Sequence, residues 1–191
     1  MGRPKQLLEY KGKSLLRCAA ETALASKCRP VVVVLGAEAE ACAAVLQGLP
    51  VRLVFNEGWK EGLASSIRAG LAELEKERPG VEAAILSVAD QPQLTPVLLD
   101  LLIEHQRATG KKIIAAQYAG VPGPPALFCA SLFPQLKTLQ GDEGARRVLK
   151  ENPHEVTLVP FPGGAFDVDT PEDLAKLQES PQPTKTAGKR L

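Results

Sequence analysis

The chain has 191 residues, a length that suits one α/β domain with a core of its own. Its residues are 45% hydrophobic but only 4% aromatic, so the core must be built from aliphatic side chains. The net charge of +1 lacks the basic excess of proteins that bind nucleic acid or anionic membranes, and neither partner is expected.

The cysteines and the hydropathy pattern bear on the compartment. No two cysteines form a CxxC pair, which favours reduced thiols over a zinc site. No apolar run reaches the roughly eighteen residues needed to span a membrane, and the first residues have no signal-peptide core. These features predict a cytoplasmic protein with four free thiols, at Cys18, Cys28, Cys42 and Cys129.

Apolar runs alternate with helical patterns along the chain. Helices are predicted over 14–27, 38–47, 63–76, 95–108, 131–137 and 143–150, with Ser14 and Thr95 as caps. Strands are predicted over 30–35, 51–55, 83–88, 112–117, 126–129 and 156–159, and a Gly/Pro loop over 120–125. This order predicts an α/β fold with a single doubly wound, mostly parallel sheet. We expect a domain over 1–178, with a last helix opening near 169–173, and a disordered polar tail over 179–191.

A lone acid, Asp90, ends a buried strand, and Pro92 prevents the strand from continuing. Ligands of open α/β sheets bind just beyond the carboxyl ends of the strands, so Asp90 is a candidate metal ligand or catalytic carboxylate. The alternative is an acid that caps a turn. The local sequence favours neither interpretation.

Two cations, Arg3 and Lys5, flank Pro4 ahead of the first helix. A planar guanidinium and a compact ammonium suit phosphate oxygens. The alternative is a charged segment in solvent, which the spacing alone favours.

The segment from Trp59 to Ser66 joins the end of a strand to the start of a helix. Gly62 permits close approach of the backbone to a ligand. Ser65 and Ser66 supply hydroxyls near a helix N-terminus, where they can hydrogen-bond a base, a ribose or a phosphate. An ordinary helix cap covered by Trp59 is the alternative, and composition alone slightly favours it.

Asp167 and Asp169 lie two residues apart in a segment predicted to be extended, so their side chains would point the same way. Asp169 could share a divalent cation with Asp90, because Mg²⁺ is typically held by one or two carboxylates together with substrate phosphates. Acids ahead of Pro171 would also stabilise a helix N-terminus, and this simpler interpretation stays open.

Five strings in this order resemble the MobA-like nucleotidyltransferases of the molybdenum-cofactor cytidylyltransferase type. The resemblance extends from Met1 to about Leu177, and the order of the strings carries more weight than any one of them. The strings are MGRPKQLL at 1–8, EGLASS at 61–66, DQP at 90–92, GDEGAR at 141–146 and DVDTPED at 167–173.

The resemblance implies a Rossmann-like fold and a Mg²⁺-dependent transfer of a nucleotidyl group from a nucleoside triphosphate to a phosphorylated small-molecule acceptor, with release of pyrophosphate. The Pro4-Lys5 pair resembles the cytidylyl-transferring branch, which implies CTP as the donor, a molybdopterin acceptor and a molybdoenzyme as a further partner. Lys5 would neutralise the triphosphate and the leaving pyrophosphate, and Arg3 could assist.

The resemblance also implies roles for residues farther along the chain. Ser65 and Ser66, with the backbone near Gly62, would hold the nucleotide. Asp90 would bind Mg²⁺, and Asp169 would be its second protein ligand. These groups would orient the α-phosphate and stabilise the charge of the transition state.

Two departures from the family pattern affect these expectations. Members of the family begin with a central strand and a Gly-rich loop just before the Met-Gly-Arg-Pro-Lys string, and this chain, written from Met1, is expected to lack both. Pro124 stands where the cytidylyltransferases of the cofactor often have His, on the acceptor side. The alternatives are therefore a sugar phosphate or other small phosphorylated acceptor, or a catalytically silent cofactor-binding module.

Overall fold

The structure is a computed structural model that describes residues 4–166 and Asp173 of the 191-residue chain. The helices are α1 Leu15–Ala25, α2 Ala39–Val45, α3 Leu63–Glu77, α4 Pro96–Thr109, α5 Phe133–Lys137 and α6 Arg146–Glu151. The strands are β1 Glu9–Tyr10, β2 Lys13–Ser14, β3 Val32–Leu35, β4 Arg52–Phe55, β5 Ala83–Leu86, β6 Ile113–Tyr118, β7 Val121–Cys129 and β8 Val156–Pro160. The expected start of the last helix, apart from Asp173, and the tail over 179–191 lie outside the described residues.

Both predicted N-terminal caps are confirmed. The Ser14 hydroxyl accepts the Arg17 N–H at 3.2 Å, and the Thr95 hydroxyl accepts the Leu98 N–H at 3.2 Å. Each bond satisfies a backbone donor that the first turn of a helix leaves without an internal partner. Pro96, in the first turn of α4, has no N–H that would need one.

One prediction is wrong: the segment 120–125 is not a loop, because β7 begins at Val121. Ala119 and Gly120 both have positive φ and form a two-residue hairpin turn between β6 and β7. A hairpin joins antiparallel strands, so β7 runs antiparallel to β6 and also to β5. Pro122 pairs with Gln117 of β6, whereas Pro124 and Pro125 lie at a register shift in that pairing. None of the three prolines pairs with β5, so their missing N–H groups remove no bond to it.

Strands β5, β7, β6 and β8 form one mixed sheet with helices on both faces. Ile113, Ala115 and Phe128 pack in a cluster with α3, α5 and α6, whereas Ile114 and Leu127 pack in a second cluster with α4. The side chains alternate between the faces because successive residues of a strand point to opposite sides. The α/β, doubly wound character that we expected is therefore confirmed.

The expected single, mostly parallel sheet is corrected in two respects. Antiparallel β7 makes the larger sheet mixed, and parallel β3 and β4 form a separate two-stranded sheet. In the described residues, β3 of the smaller sheet and β5 of the larger sheet both line a cleft of about 1370 Å³, together with residues of α1 and α3.

Among the described residues, each helix is either too short or too polar to cross a lipid bilayer.

Candidate active site

Asp90 and Lys5, which are 85 residues apart in sequence, meet at the carboxyl end of β5. The Lys5 ammonium Nζ donates to Asp90 Oδ2 at 2.5 Å. The Asp90 side chain is only 16% exposed and that of Lys5 is 46% exposed. Leu7 and Ala89 hold the two segments in place, since both pack against the apolar cluster around Leu35 at the end of β3.

The contact places the Lys5 side chain beside a carboxylate at the sheet edge, and the binding of phosphate by Lys5 stays a prediction. Asp90 likewise has a charged partner from a distant part of the chain. Arg3 and Asp169, the other predicted members of this group, lie outside the described residues. The catalytic and metal-binding roles of all four stay predictions.

Gln91 anchors the turn that carries Asp90. Its side chain is buried, with 3% of the residue exposed, and its Nε2 donates to the Tyr118 hydroxyl at 3.2 Å and to the Gly164 carbonyl at 3.3 Å. An ideal Cβ at Gly123 would lie 2.2 Å from the Tyr118 Oη, so the hairpin backbone comes unusually close to this ring. The hairpin that carries Pro124 is thereby connected to the turn of Asp90.

Gly62 is the N-terminal cap residue of α3 and has a conformation that favours glycine, with φ +117° and ψ −171°. An ideal Cβ there would lie 2.4 Å from the carbonyl of Gly141 and 2.5 Å from Asp142 Oδ1. The Gly141 carbonyl accepts the Ala64 N–H at 3.0 Å, so it occupies a donor at the N-terminus of α3. The structure thus brings two of the quoted strings, 61–66 and 141–146, into direct contact.

The hydroxyls of Ser65 and Ser66 are both held by Asn56, which follows β4. Asn56 Nδ2 donates to Ser65 Oγ at 2.8 Å and to Ser66 Oγ at 3.1 Å. Ser65 is buried and donates to the Gly62 carbonyl at 2.8 Å, as in the helix-cap interpretation, while Ser66 is half-buried and lines the cleft. Sequence reasoning missed Asn56, although an Asn two residues before a Gly at a strand end is a turn signal.

Arg68 connects α3 to the segment that precedes Gly141. Its guanidinium donates to the Leu139 carbonyl at 2.6 Å and to the Glu61 carboxylate at 2.5 Å. The hydrogen bond from Arg68 holds the pKa of the Glu61 carboxyl below its ordinary value. Arg147, by contrast, pairs with Glu143, which precedes α6, and with Glu151 at the end of α6, so its guanidinium is engaged in local ion pairs.

A metal ion must be judged against the donors that the structure shows. No group of three His, Cys, Asp or Glu side chains suited to a metal occurs among the described residues. Mg²⁺ commonly takes one or two carboxylates and completes its shell with water and substrate phosphates. The Asp90 carboxylate, largely buried at the sheet edge, fits that pattern as one protein ligand.

The sequence and the fold have clear relatives. Residues 1–156 match the family of the MobA-like NTP transferase domain. The chain belongs to this family. It is a nucleotidyltransferase, which confirms the resemblance stated above. A nucleotidyl transferase from Methanothermobacter thermautotroptrophicus has the same fold, with a TM-score of 0.77 at 20% identity. The match covers 92% of this chain and 83% of the other.

Two curated relatives span nearly the whole chain. Nicotine blue oxidoreductase of Paenarthrobacter nicotinovorans is 35% identical over 189 residues, which cover 93% of this chain and 89% of the relative. Purine catabolism protein PucB of Bacillus subtilis strain 168 is 30% identical over 192 residues, which cover 94% and 90%.

A solved structure is similarly close. The crystal structure of Rv0371c from Mycobacterium tuberculosis H37Rv has a TM-score of 0.80 at 30% identity and covers 94% of this chain and 91% of its own. A structure of Rv0371C in complex with manganese has a TM-score of 0.77 at 29% identity, with 94% of each chain covered.

Proposed function

We propose that this nucleotidyltransferase transfers CMP from CTP to the phosphate of a molybdopterin-type acceptor, with Mg²⁺ and with release of pyrophosphate. The observation that carries the proposal is the 2.5 Å contact between the Lys5 ammonium and the Asp90 carboxylate at the carboxyl end of β5. A cation for phosphate oxygens and a carboxylate for a divalent metal stand side by side at the edge where open α/β sheets bind ligands.

In the proposed reaction an oxygen of the acceptor phosphate attacks the α-phosphorus of the nucleotide. A new phosphorus–oxygen bond forms, and the bond from the α-phosphorus to the bridging oxygen of the β-phosphate breaks, so pyrophosphate carries the electron pair away. Lys5 would neutralise the negative charge that grows on the leaving oxygens. Asp90 would hold Mg²⁺, which supplies charge stabilisation and orients the phosphates. No nucleophile from the protein is required.

The nucleotide would lie against the start of α3. Gly62 lets the backbone of this segment lie close to Gly141, while Asn56 fixes the hydroxyls of Ser65 and Ser66. Arg3 and Asp169 would complete the triphosphate and metal sites as proposed from the resemblance. The manganese complex of the 29% identical mycobacterial protein supports a divalent cation in this fold.

The acceptor would approach from the β6–β7 hairpin, which Tyr118 and Gln91 connect to the turn of Asp90. Pro124, in place of the His that cytidylyltransferases of the cofactor often have, makes a sugar phosphate or another small phosphorylated molecule the alternative acceptor. With a molybdopterin acceptor, a molybdoenzyme would receive the product. We propose a cytoplasmic location for this reaction, in keeping with the four free cysteines.

A second candidate function follows from the 35% identical relative, whose name describes an oxidoreductase. The match to a nucleotidyltransferase family over residues 1–156 favours group transfer for this chain. An assay that includes NADH and NADPH alongside the nucleoside triphosphates distinguishes the two functions.

The experiment measures Mg²⁺-dependent pyrophosphate release with CTP, GTP, ATP or UTP, each with a pterin phosphate or a sugar phosphate as acceptor. We expect turnover with CTP and the pterin acceptor, and we expect Asp90→Asn to lower it by about a hundredfold or more. In thermal unfolding, a nucleotide at about 100 times its Kd should stabilise the wild-type protein by about 2.7 kcal/mol.

The matched control is Glu104→Gln, which neutralises the acid of the exposed ion pair with Lys27, away from the sheet edge. This variant should keep its turnover. Undiminished pyrophosphate release by Asp90→Asn would contradict the role of Asp90. Cooperative unfolding that no nucleotide shifts would favour a silent binding module instead.

A further inference from the structure

Asn56 is a buried amide at the carboxyl end of β4, with 9% of the residue exposed. Its backbone N–H donates to the Leu35 carbonyl at 2.7 Å, which fixes it beside the end of β3. Its side chain then bridges the turn after β4 and the first turn of α3, against which the nucleotide is proposed to lie. The mechanism above gives this amide no chemical step.

The orientation of the amide is determined by its partner at Gly58. The Gly58 N–H lies 3.0 Å from Asn56 Oδ1, and a backbone N–H can only donate. A flipped amide would place Nδ2 against that donor. The carbonyl oxygen therefore faces Gly58, and both N–H groups of Nδ2 face the hydroxyls of Ser65 and Ser66.

This orientation determines which way each hydroxyl donates. Both serines accept from Asn56, and Ser65 donates its own hydrogen to the Gly62 carbonyl at 2.8 Å. The Asn56 atom that faces Ser66 is Nδ2, which donates and does not accept. The Ser66 hydrogen therefore stays available for another acceptor. Ser66 is half-buried and lines the cleft that extends to Asp90.

We infer that Asn56 is a positioning residue that makes Ser66 a hydrogen-bond donor toward the nucleotide, so that this subsite selects a ligand atom that accepts. Such an atom is a carbonyl oxygen or unprotonated ring nitrogen of the base, or an oxygen of the ribose or phosphate. The inference rests on the proposed function. An acid at position 56 would reverse the polarity, because a carboxylate would accept the Ser66 hydrogen and place a negative charge beside the nucleotide.

The test is a double-mutant cycle of Asn56→Asp and Ser66→Ala, with nucleotide KM and kcat measured for all four proteins. Each single variant should raise the KM of the nucleotide about tenfold, while kcat stays within about threefold of wild type. In the Ser66→Ala background, Asn56→Asp should raise KM by a smaller factor than it does in the wild-type background, because the hydroxyl through which Asn56 acts is absent and only the charge of the carboxylate remains.

Two controls separate positioning from a loss of structure. Asn152→Asp makes the same chemical change at an amide that contacts Gln135 and the Val148 carbonyl, and it should leave KM unchanged. Ser66→Thr keeps a hydroxyl and should retain most of the affinity. If Asn56→Asp does not unfold cooperatively, Asn56→Ala takes its place in the cycle, with the same expectation of non-additivity.

Three results would overturn the inference, two of them alone and one together with the proposed function. A positioning role would be refuted if the Asn56 variant bound the nucleotide as tightly as wild type. It would also be refuted if the rise in KM of the double variant equalled the product of the rises in the two single variants. Wild-type protein that binds none of the four nucleoside triphosphates would refute the proposed function itself, and the inference with it. If the wild-type protein binds CTP and the Asn56 variant binds CTP equally well, the inference is refuted and the proposed function is not.

Discussion

Replacing Gly62 by alanine should destabilise the protein by about 2–4 kcal/mol. The backbone at Gly62 has φ +117° and ψ −171°, a region that costs a residue with a Cβ about 1–3 kcal/mol. The new Cβ would also lie 2.4 Å from the Gly141 carbonyl, a backbone group that must move away. That movement weakens the bond from the Ala64 N–H to the same carbonyl, worth about 0.5–1.5 kcal/mol.

Urea denaturation of Gly62→Ala measures this loss, and Gly80→Ala is the matched control. Gly80 also has positive φ, +77°, but its Cβ would meet no atom within 4 Å. The control should therefore lose only the conformational contribution, about 1–2 kcal/mol. Equal losses in the two variants would refute the close approach of the segments at 62 and 141. Gly62→Ala should also raise the nucleotide KM in the pyrophosphate assay, whereas the control should not.

Two further predictions follow from the charges and the thiols. Arg68 holds the pKa of Glu61 below its ordinary value, so their pairing stabilises the fold above the unfolded pKa of about 4.3 and is lost as the pH falls through the lower folded pKa. The stability difference between wild type and Arg68→Ala in urea should therefore be larger at pH 7 than at pH 3, and an equal difference at both would contradict the pairing. Burial raises the pKa of the Cys42 thiol, and the residue is 2% exposed, so a maleimide at pH 7 should label it far more slowly in the folded protein than in guanidinium. Equal labelling rates would show that the thiol is accessible.

Local signals explain which elements the sequence predicted well. The caps at Ser14 and Thr95 depend on a hydroxyl beside the first turn of a helix, and the buried strands depend on short aliphatic runs. Both patterns involve neighbouring residues only. The alternation of helices and strands then predicts a doubly wound α/β fold, which the structure and the family confirm.

The β6–β7 hairpin was harder to predict because its turn uses Ala119, a residue that rarely adopts positive φ. Three prolines in the following segment further suggested a loop, since proline has no N–H for a ladder. They fit in β7 because none of them pairs with β5, and Pro124 and Pro125 lie at the register shift in the pairing with β6. Only the long-range strand order reveals this, and a single sequence does not show it.

The site residues that sequence reasoning missed are neutral amides. Asn56 and Gln91 have no charge that would indicate a catalytic role, and their partners, Ser65 and Tyr118 among them, become neighbours only in the fold. Charged residues such as Asp90 could be identified from their position after a strand, since that position predicts a sheet edge. The sequence marks Asn56 as a turn residue at most, and the role of each amide is recognisable only from its burial and hydrogen bonds.

The contact between Lys5 and Asp90 is compatible with a metal at the same carboxylate. Lys5 is 46% exposed, so the pair contributes no more than about 1 kcal/mol, and a divalent cation that takes over Asp90 displaces the ammonium at little cost. An ammonium released at this edge would lie next to the phosphates that the cation brings with it. In the proposed reaction Asp90 therefore exchanges Lys5 for the cation, and Lys5 exchanges Asp90 for the phosphates. Before the nucleotide binds, the ion pair holds both side chains in place for the triphosphate.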